Sequence, residues 1–283
     1  MKKITAEFVK SVMPRRDPDG HKGDFGKVYC LCGSVGYTGA PVFASRAAVR
    51  TGAGLVYLGV PESVWQVVAV KSDEAIPRPL PEQEGHLDMA AQPLIEKETA
   101  QCDAVLMGCG VGRSPSSDEL LRELTLRCPK PLILDADGIN AWEAHIDMLD
   151  KRSGVTVLTP HEGEFRRVDG DLSKGRETAA RDFSLRHGVY LVLKGHRTLV
   201  AAPDGRLMEN TTGNSGMAKG GSGDVLAGMI LTLLGQKTDP FDACCAAVWL
   251  HGRAGDLAAA DKGETGMTPT DLLEQIPYAI KNG

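Results

Sequence analysis

Short, continuous apolar runs alternate along this chain with longer, helix-like segments. Apolar runs of this kind are typical of strands that are buried on both faces of a sheet. The predicted strands are residues 27–32, 55–59, 104–107, 132–134, 155–158 and 189–193. The predicted helices between and after them include residues 41–50, 117–126, 176–187 and 223–234. This alternation predicts an α/β fold, with a mainly parallel sheet and helices on both faces.

Two later features modify this pattern. Residues 198–202 and 206–208 flank a Pro-Asp-Gly turn, which predicts an antiparallel hairpin at one edge of the sheet. Two helices follow, residues 241–259, apolar enough to be mostly buried, and residues 268–281.

The ends and middle of the chain bear on its domain organisation. Residues 1–25 are polar and predict an N-terminal helix followed by an arm. Residues 76–85 carry three prolines and are the one linker candidate, but the segment is short and central. We therefore predict a single domain over residues 1–283.

Composition narrows the possible functions. The net charge of −5 argues against a nucleic-acid binder, which usually carries a basic patch. No apolar run approaches the length of a membrane span, and the N-terminus lacks the apolar core of a signal peptide. The seven cysteines include no Cys-x-x-Cys pair, which favours buried reduced thiols over disulfides or a zinc site. We expect a cytoplasmic protein without membrane or nucleic-acid partners.

The sharpest motif is Gly-Gly-Ser-Gly-Asp at residues 220–224, here named the cradle loop. It leads directly into an apolar helix. Unpaired N–H groups of Gly221, Ser222 and Gly223 at that helix start, together with the helix dipole, predict an anion site. The motif is not a Walker A loop, and the chain has no Gly-x-Ser-x-Gly elbow of a serine hydrolase.

Asp224 ends the cradle loop. An acid in a first helical turn is often there because the dipole stabilises it. Beside a bound phosphate, however, its carboxylate can take a proton from a substrate hydroxyl and activate it toward phosphorus. We therefore predict that Asp224 is a catalytic base.

Two more glycine-rich segments follow predicted strands, at residues 33–41 and 108–112. Ligands of α/β proteins bind beyond the carboxyl ends of strands. Either segment alone is weak support for a binding site. Three such loops at one edge of the sheet predict an extended ligand with several phosphates or sugars.

Polar residues also follow three strands. Asp135 and Asp137 are typical either of a metal or hydroxyl site or of helix caps, and the sequence does not separate these. His161 and Glu164 share a helical face, and Glu164 is a candidate to hold Mg²⁺ through water. Lys194 ends a strand and is either a phosphate contact or an exposed turn cation. His251, inside the apolar helix, is expected to satisfy a polar contact in the core.

These motifs together resemble the ADP/ATP-dependent NAD(P)H-hydrate dehydratases of the ribokinase-like superfamily. The resemblance covers roughly residues 22–277. The matching segments, in order, are residues 33–40, 48–56, 135–137, 159–164, 210–214 and 220–224. It implies a three-layer ribokinase-like fold without a separate lid domain, and often a tetramer.

The resemblance also implies a reaction. The S epimer of NADH or NADPH hydrated at C6 is phosphorylated on its hydroxyl by ADP or ATP, and phosphate is then eliminated. Asp224 would be the base. By the same resemblance, the hydrated dinucleotide would contact Ala40, Gly110, Gly112, His161 and Asp224. The adenine nucleotide would contact Lys194, Gly195, His196, Arg197, Thr198, Gly221, Ser222 and Gly223.

Two positions depart from the usual pattern of this family, Cys109 where proline is common and Gly138 where alanine is common. The main alternative is a small-molecule kinase of the same superfamily, which would share the cradle loop and stop at the phosphorylated product. A second alternative, a catalytically inactive nucleotide sensor, has no need for Asp224. Since about 25 residues precede the first predicted strand, we expect no epimerase domain here, and the R epimer would need a partner enzyme or spontaneous equilibration.

Overall fold

A ten-stranded sheet forms the centre of the computed structural model, which describes residues 1–282. Its strand order is β1-β12-β11-β10-β9-β8-β7-β2-β3-β4, and β5 and β6 form a separate small hairpin. The strands are β1 (Lys2–Lys3), β2 (Lys27–Leu31), β3 (Leu55–Pro61), β4 (Ile76–Leu80), β5 (Glu82–Gln83), β6 (His86–Leu87), β7 (Ala104–Met107), β8 (Leu132–Leu134), β9 (Thr156–Leu158), β10 (Tyr190–Leu193), β11 (Leu199–Ala201) and β12 (Leu207–Glu209).

Helices cover both faces of this sheet. They are α1 (Ala6–Val12), α2 (Gly39–Thr51), α3 (Glu62–Val70), α4 (Gln92–Ala100), α5 (Pro115–Arg127), α6 (Asp137–Asn140), α7 (Glu162–Arg167), α8 (Arg176–His187), α9 (Ser222–Gly235), α10 (Pro240–Lys262) and α11 (Pro269–Lys281). None of the helices within residues 1–282 is both long and apolar enough to cross a membrane.

The two faces of the sheet bury different side chains. In β2, Val28 and Cys30 join the core under α2, α9 and α10, whereas Tyr29 and Leu31 join the core under α4, α5 and α8. This follows from the alternation of side chains along a strand, and it explains why the central strands, such as β7 and β8, are apolar on both faces. The predicted three-layer α/β fold is confirmed.

The sheet is parallel except around β11, which pairs antiparallel with both β10 and β12. The turn between β11 and β12 is the predicted Pro-Asp-Gly segment, closed by a bond from the Gly205 N–H to the Ala202 carbonyl at 3.0 Å. The predicted antiparallel hairpin is therefore confirmed, but it lies one strand in from the edge, because β1 pairs with β12.

The proline-rich segment after residue 75 is not a linker. Its first part is β4, which pairs with β3 at one edge of the sheet, where proline is tolerated because no further strand needs its missing N–H. The β5–β6 hairpin then returns to the glycine segment after β2, where the Val35 N–H donates to the Gly85 carbonyl at 3.2 Å.

Helices α2 and α9 pack closely although they are far apart in the sequence. The Thr232 hydroxyl on α9 donates to the Ala48 carbonyl on α2 at 2.9 Å. A side chain at Gly228 would lie 2.2 Å from the Ala44 carbonyl oxygen, so only glycine permits this approach. The packing fixes the start of α9 against the sheet.

Strands β10, β9, β8, β7 and β2 are consecutive neighbours, and all their mutual pairings are parallel. Their carboxyl ends therefore meet at one edge of the sheet. The segments that follow them, together with the start of α9, form the site described next.

Candidate active site

The cradle loop turns sharply into α9 at Gly221. This residue adopts φ = 105°, a left-handed conformation that favours glycine. A side chain there would also come within 2.8 Å of the Phe43 ring on α2. The glycine is therefore required both by the backbone and by the packing of α2.

The start of α9 offers free hydrogen-bond donors. In the described part of the chain, the N–H groups of Gly221, Gly223 and Asp224 donate to no protein acceptor. Ser222 differs from our expectation, because its N–H already donates to the Lys219 carbonyl at 3.2 Å. The remaining donors and the positive end of a 14-residue helix form an anion-binding position.

The Asp224 carboxylate lies in a cluster with two buried groups. Carboxylate oxygens of Asp224 and Asp135 and the Cys109 sulfur all lie within 4.8 Å of one another. Burial, and then the charge of Asp135, raise the pKa of Asp224 to about 7. A carboxylate with a pKa near neutrality is suited to accept a proton from a hydroxyl.

Lys194 supplies the nearest positive charge. Its Nζ donates to Asp135 Oδ1 at 2.8 Å and lies 3.9 Å from Glu164 Oε2. Burial would raise the pKa of Asp135, but the charge and hydrogen bond of Lys194 keep it below its ordinary value. A side chain at Gly223 would lie 3.3 Å from the same Nζ. Lys194 is thus a partly buried cation below the cradle loop, and an exposed turn cation is ruled out.

His161 and Glu164 form a reciprocal cap at the start of α7. The His161 Nδ1 accepts from the N–H groups of Gly163 at 3.0 Å and Glu164 at 3.2 Å, and Glu164 Oε2 accepts from the His161 N–H at 2.8 Å. The His161 ring remains 58% exposed, whereas Glu164 is buried. Both residues therefore have a structural role, and both also lie beside Lys194 at the edge of the site.

The two aspartates after β8 separate into different roles. Asp135 binds Lys194 and also accepts from the Thr159 hydroxyl at 2.6 Å. Asp137 accepts from the Gly112 N–H at 2.8 Å and from the Asn140 side-chain amide at 3.2 Å. Asp137 thus holds the 108–112 segment, while Asp135 belongs to the charged centre of the site.

Ala40 and Gly110 lie where the segments after β2 and β7 meet, and Gly112 is buried beside them. Gly110 has φ = 64°, and a side chain there would lie 2.8 Å from Cβ of Ala40 and 2.9 Å from Cβ of Tyr37. The two glycine segments therefore touch, as expected from the neighbouring positions of their strands. The Tyr37 side chain is 59% exposed here and was not singled out in the sequence.

The Arg176 side chain binds the backbone around residues 194–198. Its guanidinium donates to the carbonyls of His196 at 2.8 Å and Leu193 at 3.1 Å. Only Lys194 of this segment reaches the cradle loop. His196 is exposed, and Arg197 pairs with Glu209 at 3.1 Å. Arg176 was missed in the sequence because nothing local distinguishes it from a surface arginine at a helix start.

The two departures from the family pattern have local explanations. The Cys109 thiol donates to Asp135 Oδ2 at 3.4 Å and so forms part of the wall behind Asp224. A side chain at Gly138 would lie 2.3 Å from the Met107 carbonyl oxygen, so this backbone requires glycine.

Fold and site together define a ribokinase-like α/β protein, with free N–H groups at a helix start beside a mostly buried carboxylate and a partly buried lysine. The family model for NAD(P)H-hydrate dehydratase matches residues 28–278. The chain therefore belongs to the NAD(P)H-hydrate dehydratase family.

Individual relatives agree with this assignment. A bifunctional NAD(P)H-hydrate repair enzyme of Moorella thermoacetica is 41% identical over 99% of this chain and 54% of its own length. The ADP-dependent (S)-NAD(P)H-hydrate dehydratase of Neisseria meningitidis is 36% identical over 92% of this chain and 86% of its own length. The chain spans about half the length of the bifunctional relatives that it matches.

Solved structures support the same fold. The ADP/ATP-dependent NAD(P)H-hydrate dehydratase of Bacillus subtilis, co-crystallised with ATP and Mg²⁺, superposes with a TM-score of 0.84 at 30% identity, covering 99% of this chain and 98% of that one. A hydroxyethylthiazole kinase of Pyrococcus horikoshii gives a TM-score of 0.61 at 16% identity over 98% of this chain and 95% of that one, which supports a common fold alone.

Proposed function

We propose that this chain converts the S epimer of hydrated NADH or NADPH back to NADH or NADPH, using ADP or ATP as the phosphoryl donor. The observation that carries the proposal is the pairing of Asp224, whose pKa is raised to about 7, with free N–H groups at the start of α9. One group can accept a proton while the others hold a phosphate.

The first step is phosphoryl transfer. Asp224 takes the proton of the C6 hydroxyl, and the hydroxyl oxygen forms a bond to the terminal phosphorus of the nucleotide. The bond from that phosphorus to the bridging oxygen breaks, releasing AMP from ADP or ADP from ATP. In this proposal the Gly223 N–H and the Lys194 ammonium, which lie close together, stabilise the charge on the transferring group.

The second step is elimination. The bond between C6 and the phosphate oxygen breaks, the electron pair leaves with inorganic phosphate, and a proton is lost from the neighbouring ring carbon to form the double bond. Hydroxide is a poor leaving group and phosphate a good one, which explains why the dehydration consumes a nucleotide.

The residues of the site also fit a magnesium ion. Mg²⁺ prefers hard oxygen ligands and is usually held by one or two carboxylates, water and substrate phosphates. Glu164 is a buried carboxylate near Lys194 and the cradle loop, and we propose that it holds the ion through water. When bound, the ion would neutralise charge on the phosphates. The Cys109 thiol is too soft a ligand for this role.

We propose that the other predicted site residues divide between the two ligands. Ala40, Gly110, Gly112 and His161 would bind the hydrated dinucleotide, while residues 194–198 and 221–223 would bind the adenine nucleotide. The contact of Gly110 with Ala40 and the position of Lys194 beside Gly223 support these groupings.

An assay of purified hydrated NADH with ADP and with ATP tests the proposal. The expected result is that inorganic phosphate and NADH form in equal amounts. The NADH is measured by the absorbance of the reduced nicotinamide ring. Accumulation of a phosphorylated dinucleotide without NADH would instead identify a kinase. Absence of any phosphate transfer with either nucleotide would reject both.

Two further properties belong to this proposal. We propose that the enzyme acts as a homotetramer and that it works with an epimerase that converts the R epimer into the S epimer. Light scattering measures the oligomeric state, and faster consumption of a chirally pure R substrate when an epimerase is added supports the second property.

A further inference from the structure

A partly buried histidine on α10 contacts the cradle loop. His251 lies on α10, and its Nε2 is 2.9 Å from the Ser222 carbonyl oxygen. A carbonyl only accepts hydrogen bonds, so Nε2 carries the proton and donates. Burial lowers the pKa of His251 to about 4, which keeps the ring neutral.

This contact has a consequence for Gly223. The Ser222 carbonyl and the Gly223 N–H belong to one planar trans peptide unit, so they point in opposite directions. When His251 holds the carbonyl on the side of α10, the Gly223 N–H is directed away from α10. That N–H is one of the free donors at the start of α9.

The same helix also holds the beginning of the glycine-rich segment. Asp256 accepts from the Gly213 N–H and from the Asn214 side-chain amide, both at 3.1 Å. The Thr212 hydroxyl donates to the Trp249 carbonyl at 2.8 Å. Helix α10 therefore holds the glycine-rich segment at both ends, through residues 212–214 and through Ser222.

We propose that His251 is a positioning residue for the adenine nucleotide, which orients the Ser222–Gly223 peptide so that its N–H faces the phosphates. This inference rests on the proposed function. It assigns His251 a part in nucleotide affinity, whereas the sequence predicted only a polar contact in the core.

Three substitutions separate this role from general packing. In His251→Gln the side-chain Nε2 lies as many bonds from the backbone as the histidine Nε2 and can donate to Ser222. In His251→Asn the donor ends at the level of Nδ1 and falls short, and His251→Leu removes it. We expect the dissociation constant of ADP, measured by calorimetry, to rise about tenfold in the Asn and Leu variants, the size of one lost hydrogen bond. In the Gln variant it should stay within about threefold of the unaltered chain.

Steady-state kinetics provide a second measurement. The KM for the nucleotide should rise with the dissociation constant, while the KM for the hydrated dinucleotide changes by less than about twofold, because only the nucleotide contacts this peptide in the proposal. His187→Asn is a matched control. His187 is a buried histidine that bonds to Asp150 at 3.0 Å at the end of α8, away from the cradle loop. The His187→Asn substitution should lower the melting temperature without changing ADP affinity.

The outcomes distinguish the two proposals. Equal ADP affinity in all three His251 variants, or a Gln variant as weak as the Leu variant, would overturn the role of His251 and leave the proposed function intact. Weakened ADP binding in His187→Asn would show that the loss of ADP affinity in the His251 variants comes from lower stability. If the unaltered chain binds neither ADP nor ATP, the nucleotide site itself is wrong, and both proposals fall.

Discussion

The Lys194 ammonium donates to Asp135 Oδ1 at 2.8 Å, joining two residues 59 positions apart at the ends of β10 and β8. Only 2% of the Asp135 side chain and 19% of the Lys194 side chain are exposed. Removing one partner of such a pair leaves a buried charge without compensation.

We therefore expect Lys194→Met to lower the free energy of unfolding by about 3 kcal/mol. Urea denaturation at neutral pH measures this change. In the double variant with Asp135→Asn the loss should be smaller than in Lys194→Met alone, because the buried Asp135 charge, the nearest partner of Lys194, is removed as well. Strictly additive losses would show that the two side chains are not energetically coupled.

Replacement of the base gives a second prediction. Asp224→Asn retains the shape of the side chain but cannot accept the proton, so turnover should fall by a factor of about 10² to 10⁴. ADP binding, measured by calorimetry, should persist. Turnover near that of the unaltered chain would remove Asp224 from this role.

The pH dependence of the reaction follows from the same group. Since Asp224 must be ionised to accept a proton and its pKa is about 7, kcat/KM should rise about tenfold per pH unit below 7 and level off above it. Initial rates between pH 5.5 and 8.5 measure the profile, with melting temperatures recorded at each pH as a control. A flat profile over this range contradicts the assignment.

Stability should respond to pH in the opposite sense. The folded-state pKa of Asp224 is raised above its ordinary value, so between about pH 4 and 7 the folded state binds more protons than the unfolded state. The contribution of this group to stability is therefore lost as the pH rises. Asp224→Asn avoids this loss and should be more stable than the unaltered chain at pH 8, by at most about 4 kcal/mol. The difference between the two proteins should shrink toward pH 4, and a constant difference would contradict the linkage.

Gly223 provides a steric test of the cradle loop. A side chain at this position would come within 3.3 Å of Lys194 Nζ and enter the space above the start of α9. We expect Gly223→Val to abolish measurable ADP binding, with Gly223→Ala intermediate. Unfolding curves for both variants establish that they fold. Unchanged ADP affinity in the valine variant would place the phosphates elsewhere.

Much of the sheet could be predicted from sequence because β7 and β8 are apolar at every position and β2 is apolar after Lys27. The edge strands β1 and β4 were not predicted. β1 has only two residues, both lysine, and β4 carries two prolines, so neither has the pattern of a buried strand. What makes them strands is the neighbouring backbone, which comes from distant parts of the chain.

Some residues of the candidate site could be predicted from the sequence and others could not. The cradle loop and Asp224 could be found because glycines and an acid at a helix start are a local signal. The roles of Asp135 and Asp137 could not be separated, since they depend on which carboxylate meets Lys194. His251 looked like an ordinary core residue, because its partner at Ser222 is 29 positions away.

The packing of α2 on α9 also determines when the site can form during folding. The contact of Thr232 with Ala48 spans 184 residues, and the free N–H groups lie at the start of α9, the later helix. Closing so long a loop costs conformational entropy, and the site is complete only when residues from both halves of the chain have met. Bound ADP should therefore report the completed fold.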